Sequence, residues 1–164
     1  MQPQEFPSLE LTFRPNVALV TVVRAFVTEF YERVVTDKDV AFRVALTTHE
    51  LLENAVKYSA DGETQIRIGG TLHLGESMIE VRISNNASPA HIVALTRLLD
   101  ELAAAEDPLL VYQRVMRRNA KRVDGSGLGL ARIHAEGEMS LDYLIEGEHV
   151  SVVARTRAQG ESKS

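Results

Sequence analysis

The sequence predicts an α+β domain, a two-layer sandwich in which helices cover one face of a mixed, mostly antiparallel sheet. Two observations support this fold class. Five short segments alternate apolar and polar residues, the pattern of half-buried strands, and the last four of them occur as two consecutive pairs. Longer segments with apolar residues at helical spacing lie between them and need a layer to pack against. Because strands and helices do not alternate one by one, a doubly wound parallel sheet is disfavoured.

The first half of the chain is expected to supply one strand, two helices and a hairpin. Either Thr36 or Asp37 is suited to cap the second helix, since both side chains can accept a hydrogen bond from a backbone N–H of the first turn. The predicted elements are a strand at 9–13, helices at 17–35 and 38–58, and strands at 65–74 and 78–84 around a turn at 75–77.

The second half is expected to supply three helices and a closing hairpin. Ser88-Pro89 and Asp107-Pro108 are start signals, because proline is tolerated at the first helical position and serine or aspartate caps it. The predicted elements are helices at 88–105, 109–119 and 128–136, and strands at 140–145 and 149–156 around a turn at 146–148.

Composition limits the classes of function. The chain has 164 residues, which favours one domain over residues 1–157 with a disordered tail at 158–164. A net charge of -5 argues against nucleic-acid and anionic-membrane partners, which need a basic surface. The absence of cysteine excludes disulfides and thiolate chemistry. With no apolar run long enough to span a bilayer and no signal-peptide pattern, a cytoplasmic location is expected.

Glu50 and Asn54 are the first candidate site residues. Their spacing of four places both on one face of the second predicted helix, where a carboxylate and an amide oxygen can converge on a metal ion or a reacting hydroxyl. The alternative is a solvated helix face, on which Glu53 and Lys57 form an ordinary ion pair. Lys57 suits either a phosphate contact or a favourable position at the negative end of the helix dipole.

The second candidate is the glycine-rich run Gly125-Ser126-Gly127-Leu128-Gly129, which leads into the helix predicted at 128–136. Such a loop can bring backbone N–H groups close to phosphate oxygens at the positive end of a helix. The alternative is a flexible turn before a helix. The run lacks the lysine and hydroxyl residue that end a Walker loop, and it does not follow a buried strand as a dinucleotide-binding loop would.

These two segments resemble motifs of the GHKL group of ATP-binding proteins, which includes histidine-kinase catalytic domains, Hsp90, gyrase and MutL. The run from Glu50 to Ser59 resembles the N-box, and Gly125 to Leu130 resembles the G2 box. The opening strand and long helix, without histidine-bearing dimerisation helices, resemble anti-sigma serine kinases of the RsbW and SpoIIAB type. The stretch from Ser84 to Gly125 is more similar still to SiaB-type protein kinases.

The resemblance implies a sandwich of the Bergerat type, ATP and Mg²⁺ as cofactors, Glu50 as general base and Asn54 as the Mg²⁺ ligand. Residues 88–124 would form a lid over the nucleotide. The cofactor-binding residues that it implies are Asn54, Lys57, Asn85, Asn86, Gly125, Ser126, Gly127, Leu128 and Gly129. At the G1 box, where the family has Asp-x-Gly-x-Gly, this chain has Asn85-Asn86-Ala87-Ser88-Pro89.

The leading hypothesis is therefore an ATP- and Mg²⁺-dependent serine/threonine kinase of a bacterial partner-switching system. It would phosphorylate a small STAS-domain antagonist and contact a sigma factor or another regulator, and the resemblance to anti-sigma kinases suggests a homodimer. The altered G1 box supports a second hypothesis, a degenerate GHKL module that regulates a protein partner without turning over ATP. A sensor histidine kinase fragment is disfavoured because no phosphoacceptor helix is present.

Overall fold

The computed structural model describes residues 6–120, 128–136 and 139–158. Within these ranges, strands and helices follow the order that the sequence predicts. They are β1 (Leu9–Phe13), α1 (Val17–Val34), α2 (Lys38–Tyr58), β2 (Ser59–His73), β3 (Glu76–Ala87), α3 (Pro89–Ala104), α4 (Pro108–Asn119), α5 (Leu128–Ala135), β4 (Ser140–Glu146) and β5 (His149–Arg157).

The five strands form one sheet in the order β1-β2-β3-β5-β4. The α+β class is confirmed, but the sheet is not mixed, since every strand pair in the described ranges is antiparallel. Two-residue turns join β2 to β3 and β4 to β5, so each pair is a hairpin. In the first, Leu74 and Gly75 both have positive φ, of 50° and 81°, as a type I′ turn requires. The turn predicted at 75–77 therefore begins one residue too late, and its last two residues belong to β3.

The helices lie on one face of the sheet, where α2 packs against β2, β3 and β5, α3 packs against β4, and α1, α4 and α5 pack mainly against other helices. The other face of the sheet is left open. Alternate side chains of the central strands point into the core, where Ile68, Val81 and Ile83 are buried under Leu52 of α2. The intervening residues of the same strands are mostly polar and line the open face. In the described part of the chain, no helix is both long and apolar enough to cross a membrane.

The central hairpin is longer than alternation predicts. Strand β2 begins at Ser59 rather than Gln65, and its pairing with β3 is irregular between Ser59 and Thr64. Gly62 has a φ of 79° within this irregular stretch, which masks the period-two pattern. After the last strand, Ala158 is buried and its N–H donates to the Ser77 carbonyl, so this residue packs against the sheet. Residues 159–164, predicted as a tail, lie outside the described ranges.

The cap of α2 gives a direct test of the local structure. The Asp37 carboxylate accepts hydrogen bonds from the N–H groups of Asp39 and Val40, at 2.9 and 3.4 Å. Asp37→Ala should therefore lower the free energy of unfolding by about 0.5–2 kcal/mol. Thr36→Ala is the matched control, since Thr36 is exposed and caps nothing, and should change it by less than about 0.5 kcal/mol. Urea unfolding measures both, and equal losses would contradict this cap.

Candidate functional site

One face of α2 connects the two ends of the candidate site. Glu50, Asn54 and Tyr58 follow one another at intervals of four residues and so lie along the same side of the helix. The Glu50 end of this face contacts α5, and the Tyr58 end contacts the beginning of α3. Asn54 is between these two contacts. The face therefore crosses the space between the starts of α3 and α5.

Glu50 is held against α5 by a salt bridge. Its side chain is only 10% exposed, and Arg132 Nη1 donates to Glu50 Oε1 at 3.1 Å. Arg132 also donates from Nε to Glu136 Oε2 at 2.8 Å, so a second carboxylate fixes its guanidinium. Burial raises the pKa of Glu50 above its ordinary value, and the positive charge of Arg132 opposes that rise. A buried carboxylate with a fixed orientation is the arrangement that a general base requires.

Gly129 brings the start of α5 onto the Glu50 carboxylate. A Cβ atom at position 129 would lie 2.5 Å from Glu50 Oε2, so any side chain there would displace the carboxylate. The N-box-like and G2-like segments, distant in the sequence, are therefore in contact. Leu128 and Gly129 are the first two residues of α5. Gly125, Ser126 and Gly127 lie outside the described residues.

Asn54 is half-buried, and its carboxamide has no hydrogen bond to any described residue, so its oxygen is available. The predicted ion pair between Glu53 and Lys57 is wrong. Glu53 instead pairs with His49, whose Nε2 lies 3.2 Å from Glu53 Oε1. Both partners are four residues from Glu53, so helical spacing alone did not discriminate between them.

Tyr58 joins the end of α2 to the start of α3. Its ring stacks on His91 with a centroid distance of 3.9 Å and an angle of 8°. The Lys57 ammonium lies 5.2 Å from the centroid of the same ring. Burial lowers the pKa of His91, which favours the neutral imidazole in this stack. The buried Tyr58 hydroxyl lacks a hydrogen-bond partner among the described residues.

The two asparagines at the end of β3 have different surroundings. Asn86 lies on the open face, where its Nδ2 donates to Asp61 Oδ2 at 2.8 Å and its Oδ1 lies 3.1 Å from His149 Nδ1. Asn85 has the opposite orientation, toward the helices, because side chains alternate along a strand. Of the two, only Asn85 shares the side of the sheet on which Glu50 and Asn54 lie.

No loop separates β3 from α3 in the region that corresponds to the G1 box. Ala87 is buried and still paired, since its N–H donates to the Glu148 carbonyl at 2.9 Å. Ser88 is already the cap of α3, and its Oγ accepts from the His91 N–H at 3.3 Å. The strand thus enters the helix through a single residue. Proline at the first helical position of α3 removes one backbone donor from this junction.

The residues present fit Mg²⁺ only if the ion arrives with phosphates. Across residues 6–120, 128–136 and 139–158, no three His, Cys, Asp or Glu side chains converge on a common point. Asn54 would therefore supply one neutral oxygen and leave most of the coordination sphere to other ligands. Mg²⁺ commonly keeps several waters and binds through few protein ligands plus substrate phosphates, so this donor set suits a nucleotide-bound ion.

Arg132 was not predicted from the sequence, although two helical spacings involve it. Gly129 and Arg132 are three residues apart and so share a face of α5, and Arg132 and Glu136 form an i,i+4 pair. These spacings do not show that the shared face meets α2. The salt bridge to Glu50 spans 82 positions and depends on how the two helices pack.

Of the comparisons with known proteins, only the one with solved structures found a similar protein. No protein-family profile matches the chain, and no curated protein matches it in sequence. In structure, it is similar to a chain of the SiaB–SiaC complex from Pseudomonas aeruginosa, with a TM-score of 0.69 and 15% sequence identity. The superposition covers 90% of this chain and 88% of that one. The fold is therefore SiaB-like, with five helices on a five-stranded antiparallel sheet.

Proposed function

We propose that this protein is an ATP- and Mg²⁺-dependent serine/threonine kinase of a bacterial partner-switching system and that its substrate is a small STAS-type protein. One observation carries the proposal: because Gly129 has no side chain, the start of α5 lies directly against the carboxylate of Glu50. This contact joins a candidate base to the segment that would hold the phosphates. The unpartnered amide of Asn54 lies one helical turn away on the same face.

In this proposal each residue has a separate task. Glu50 orients the hydroxyl of the partner protein and accepts its proton as phosphoryl transfer proceeds. The backbone at the start of α5 would present the positive end of the helix dipole to the phosphates. The Asn54 oxygen would hold Mg²⁺, and the bound ion would neutralise charge on the phosphate oxygens. Asn85 lies on the same side of the sheet as Glu50 and Asn54, and it is the candidate contact for the adenine ring of the nucleotide.

Arg132 is a positioning residue in this scheme. Its guanidinium lies between Glu50 and Glu136 and holds the Glu50 carboxylate in one orientation. It also favours the ionised form of Glu50, the form that accepts a proton, against the opposing effect of burial. A carboxylate that is held in one orientation needs less reorganisation when the substrate hydroxyl arrives.

A protein partner is part of the proposed function. The structural neighbour belongs to a SiaB–SiaC complex, and the similarity extends over nearly the whole length of both chains. We infer that this chain also binds a protein partner, and we propose that the partner is a small STAS-domain protein that presents a hydroxyl side chain. We further propose that the protein contacts a sigma factor or another regulator and that it forms a homodimer.

The junction of β3 and α3 favours a second candidate function, a GHKL-like module that binds a protein partner without ATP turnover. Ala87 is buried in a strand pair and Ser88 immediately caps α3, so this junction offers no free loop to surround an adenine base. The Tyr58–His91 stack also fills space between α2 and α3. Under this alternative, Glu50 and Arg132 would serve as a structural ion pair.

Calorimetry with a non-hydrolysable ATP analogue, with and without Mg²⁺, separates the two candidates. The wild type is expected to bind, and Asn54→Ala should weaken the Mg²⁺-dependent component about tenfold or more, because even the loss of a residue that supports a metal ligand costs that much. Glu53→Ala is the control, since Glu53 is exposed on another face of the same helix. Its affinity should equal that of the wild type.

Each outcome of this calorimetry has one interpretation. Absence of binding by the wild type at millimolar nucleotide would exclude the kinase and leave the protein-binding module. Binding that Asn54→Ala leaves unchanged would retain the nucleotide site and remove Asn54 as the Mg²⁺ ligand.

A further inference from the structure

The open face of the sheet contains a polar pit that the proposed kinase site does not use. It has a volume of about 180 Å³ and lies over β1, β2, β3 and β5, on the side opposite the helices. This volume is below the roughly 300–1,000 Å³ of typical small-molecule pockets, so the pit suits a small group and not a whole nucleotide. Its lining residues are Glu10, Gln65, Arg67, Arg82, Ser84 and Ser151.

Two buried serines form its floor. Ser84 and Ser151 face each other across β3 and β5, are 7% and 9% exposed, and their Oγ atoms are 2.7 Å apart. Two hydroxyl groups carry two donor hydrogens, and the bond between them uses one. The second hydrogen has no acceptor among the described residues. The hydrogen that this bond leaves free is available to an acceptor that a ligand brings into the pit.

Two arginines stand directly opposite each other on its walls. Arg67 and Arg82 are register partners on β2 and β3, an arrangement of like charges that destabilises a strand pair. Glu80 offsets Arg82, with Arg82 Nη2 lying 3.1 Å from Glu80 Oε1. No described residue forms an ion pair or hydrogen bond with the Arg67 guanidinium. Its cross-strand neighbour Glu10 instead accepts from the Gln65 amide at 2.6 Å.

The donors around the pit define the class of ligand. Arg67 offers its whole guanidinium, Arg82 offers the N–H groups that its contacts with Glu80 Oε1 leave free, and the serine pair offers one hydroxyl hydrogen. The only carboxylate of the lining is that of Glu10, already bonded to an amide. Guanidinium groups bind phosphate-type oxyanions through paired N–H···O bonds. We propose that this pit binds a single tetrahedral oxyanion, either free phosphate or the phosphate of a monoester. Its oxygens would accept from Arg67, Arg82 and the free hydroxyl of the serine pair.

This site is independent of the proposed kinase activity, because it lies across the sheet from Glu50. The test uses the full chain without nucleotide or Mg²⁺, and inorganic phosphate and O-phosphoserine are titrated separately while backbone and arginine side-chain NMR signals are followed. Saturable shifts are expected at Arg67, Ser84 and Ser151. Glu50→Gln should bind the same anions equally, which keeps failure of this site distinct from failure of the kinase.

Three variants sharpen the assignment. Arg67→Gln, at an exposed position, should weaken phosphate binding about tenfold or more, as expected for loss of a charged hydrogen bond. Glu10→Gln should strengthen it several-fold, since it removes the negative charge of the lining. Arg157→Gln is the control on the same open face; Arg157 Nε donates to Glu76 at 3.1 Å, outside the pit, and this change should leave affinity unchanged.

The outcomes decide both the site and its source of phosphate. Tighter binding of O-phosphoserine would support a phosphorylated side chain as the ligand, and equal or weaker binding would support the free ion. Shifts that do not saturate at tens of millimolar phosphate would overturn the proposal. So would a response to Arg157→Gln as large as that to Arg67→Gln.

Discussion

Glu50→Gln is expected to slow phosphoryl transfer about 10²- to 10⁴-fold, the range that a positioned general base contributes. Glutamine keeps the size of the side chain and an oxygen that can still accept from Arg132 Nη1, so the packing between α2 and α5 should persist. It cannot take a proton from the hydroxyl of the partner. Nucleotide affinity should therefore remain close to that of the wild type, while only the rate of the transfer step falls.

The measurement is transfer of labelled phosphate from ATP to a purified STAS-domain partner, with nucleotide binding measured in parallel. Glu53→Gln is the matched control, because it is the same substitution on the same helix at a side chain that is largely exposed. Its transfer rate should match that of the wild type. Full activity of Glu50→Gln would show that Glu50 is not the base.

The same variant has a pH signature in stability. Burial raises the pKa of Glu50, so the folded protein binds this proton more tightly than the unfolded chain does. The stabilising contribution of Glu50 is then complete below the ordinary carboxyl pKa of about 4.3 and is lost as pH rises through the higher folded value. The free energy of unfolding of the wild type, minus that of Glu50→Gln, should therefore fall as pH rises over this window. Urea unfolding at several pH values measures it, and the opposite slope would contradict the raised pKa.

Gly129→Ala is expected to reduce transfer about 100-fold, the loss that a misplacement near 1 Å can cause in a catalytic group. Alanine ordinarily stabilises a helix by about 1 kcal/mol relative to glycine. Here its Cβ would lie 2.5 Å from Glu50 Oε2, the end of a flexible side chain that can move aside. The expected result is a folded protein whose carboxylate has left its position beside Arg132.

A double-mutant cycle isolates this contact. In a Glu50→Ala background the obstructing carboxylate is gone, so Gly129→Ala should recover its helix-propensity gain of up to about 1 kcal/mol. In the wild-type background that gain should be reduced or reversed. Urea unfolding of the four proteins gives the coupling energy. Equal effects in both backgrounds would mean that Gly129 and Glu50 do not touch.

Local chemistry made much of the fold predictable. The bounds of α2 agree with the sequence expectation at both Lys38 and Tyr58, because Asp37 caps one end and apolar spacing persists to the other. The start of β2 was missed by six residues, since the irregular stretch around Gly62 breaks the alternation that identifies a strand. Periodicity detects regular elements and fails where the backbone departs from them.

The sequence by itself determined the α+β class, the order of the elements and the spacing of Glu50 and Asn54, because capping, turn geometry and hydrophobic period act over a few residues. Only the tertiary structure decided that Arg132 holds Glu50, that Gly129 rests on its carboxylate and that Arg67 faces Arg82 over a pair of buried serines. Those contacts join residues from different elements. They depend on helix packing and strand register, which no local pattern specifies.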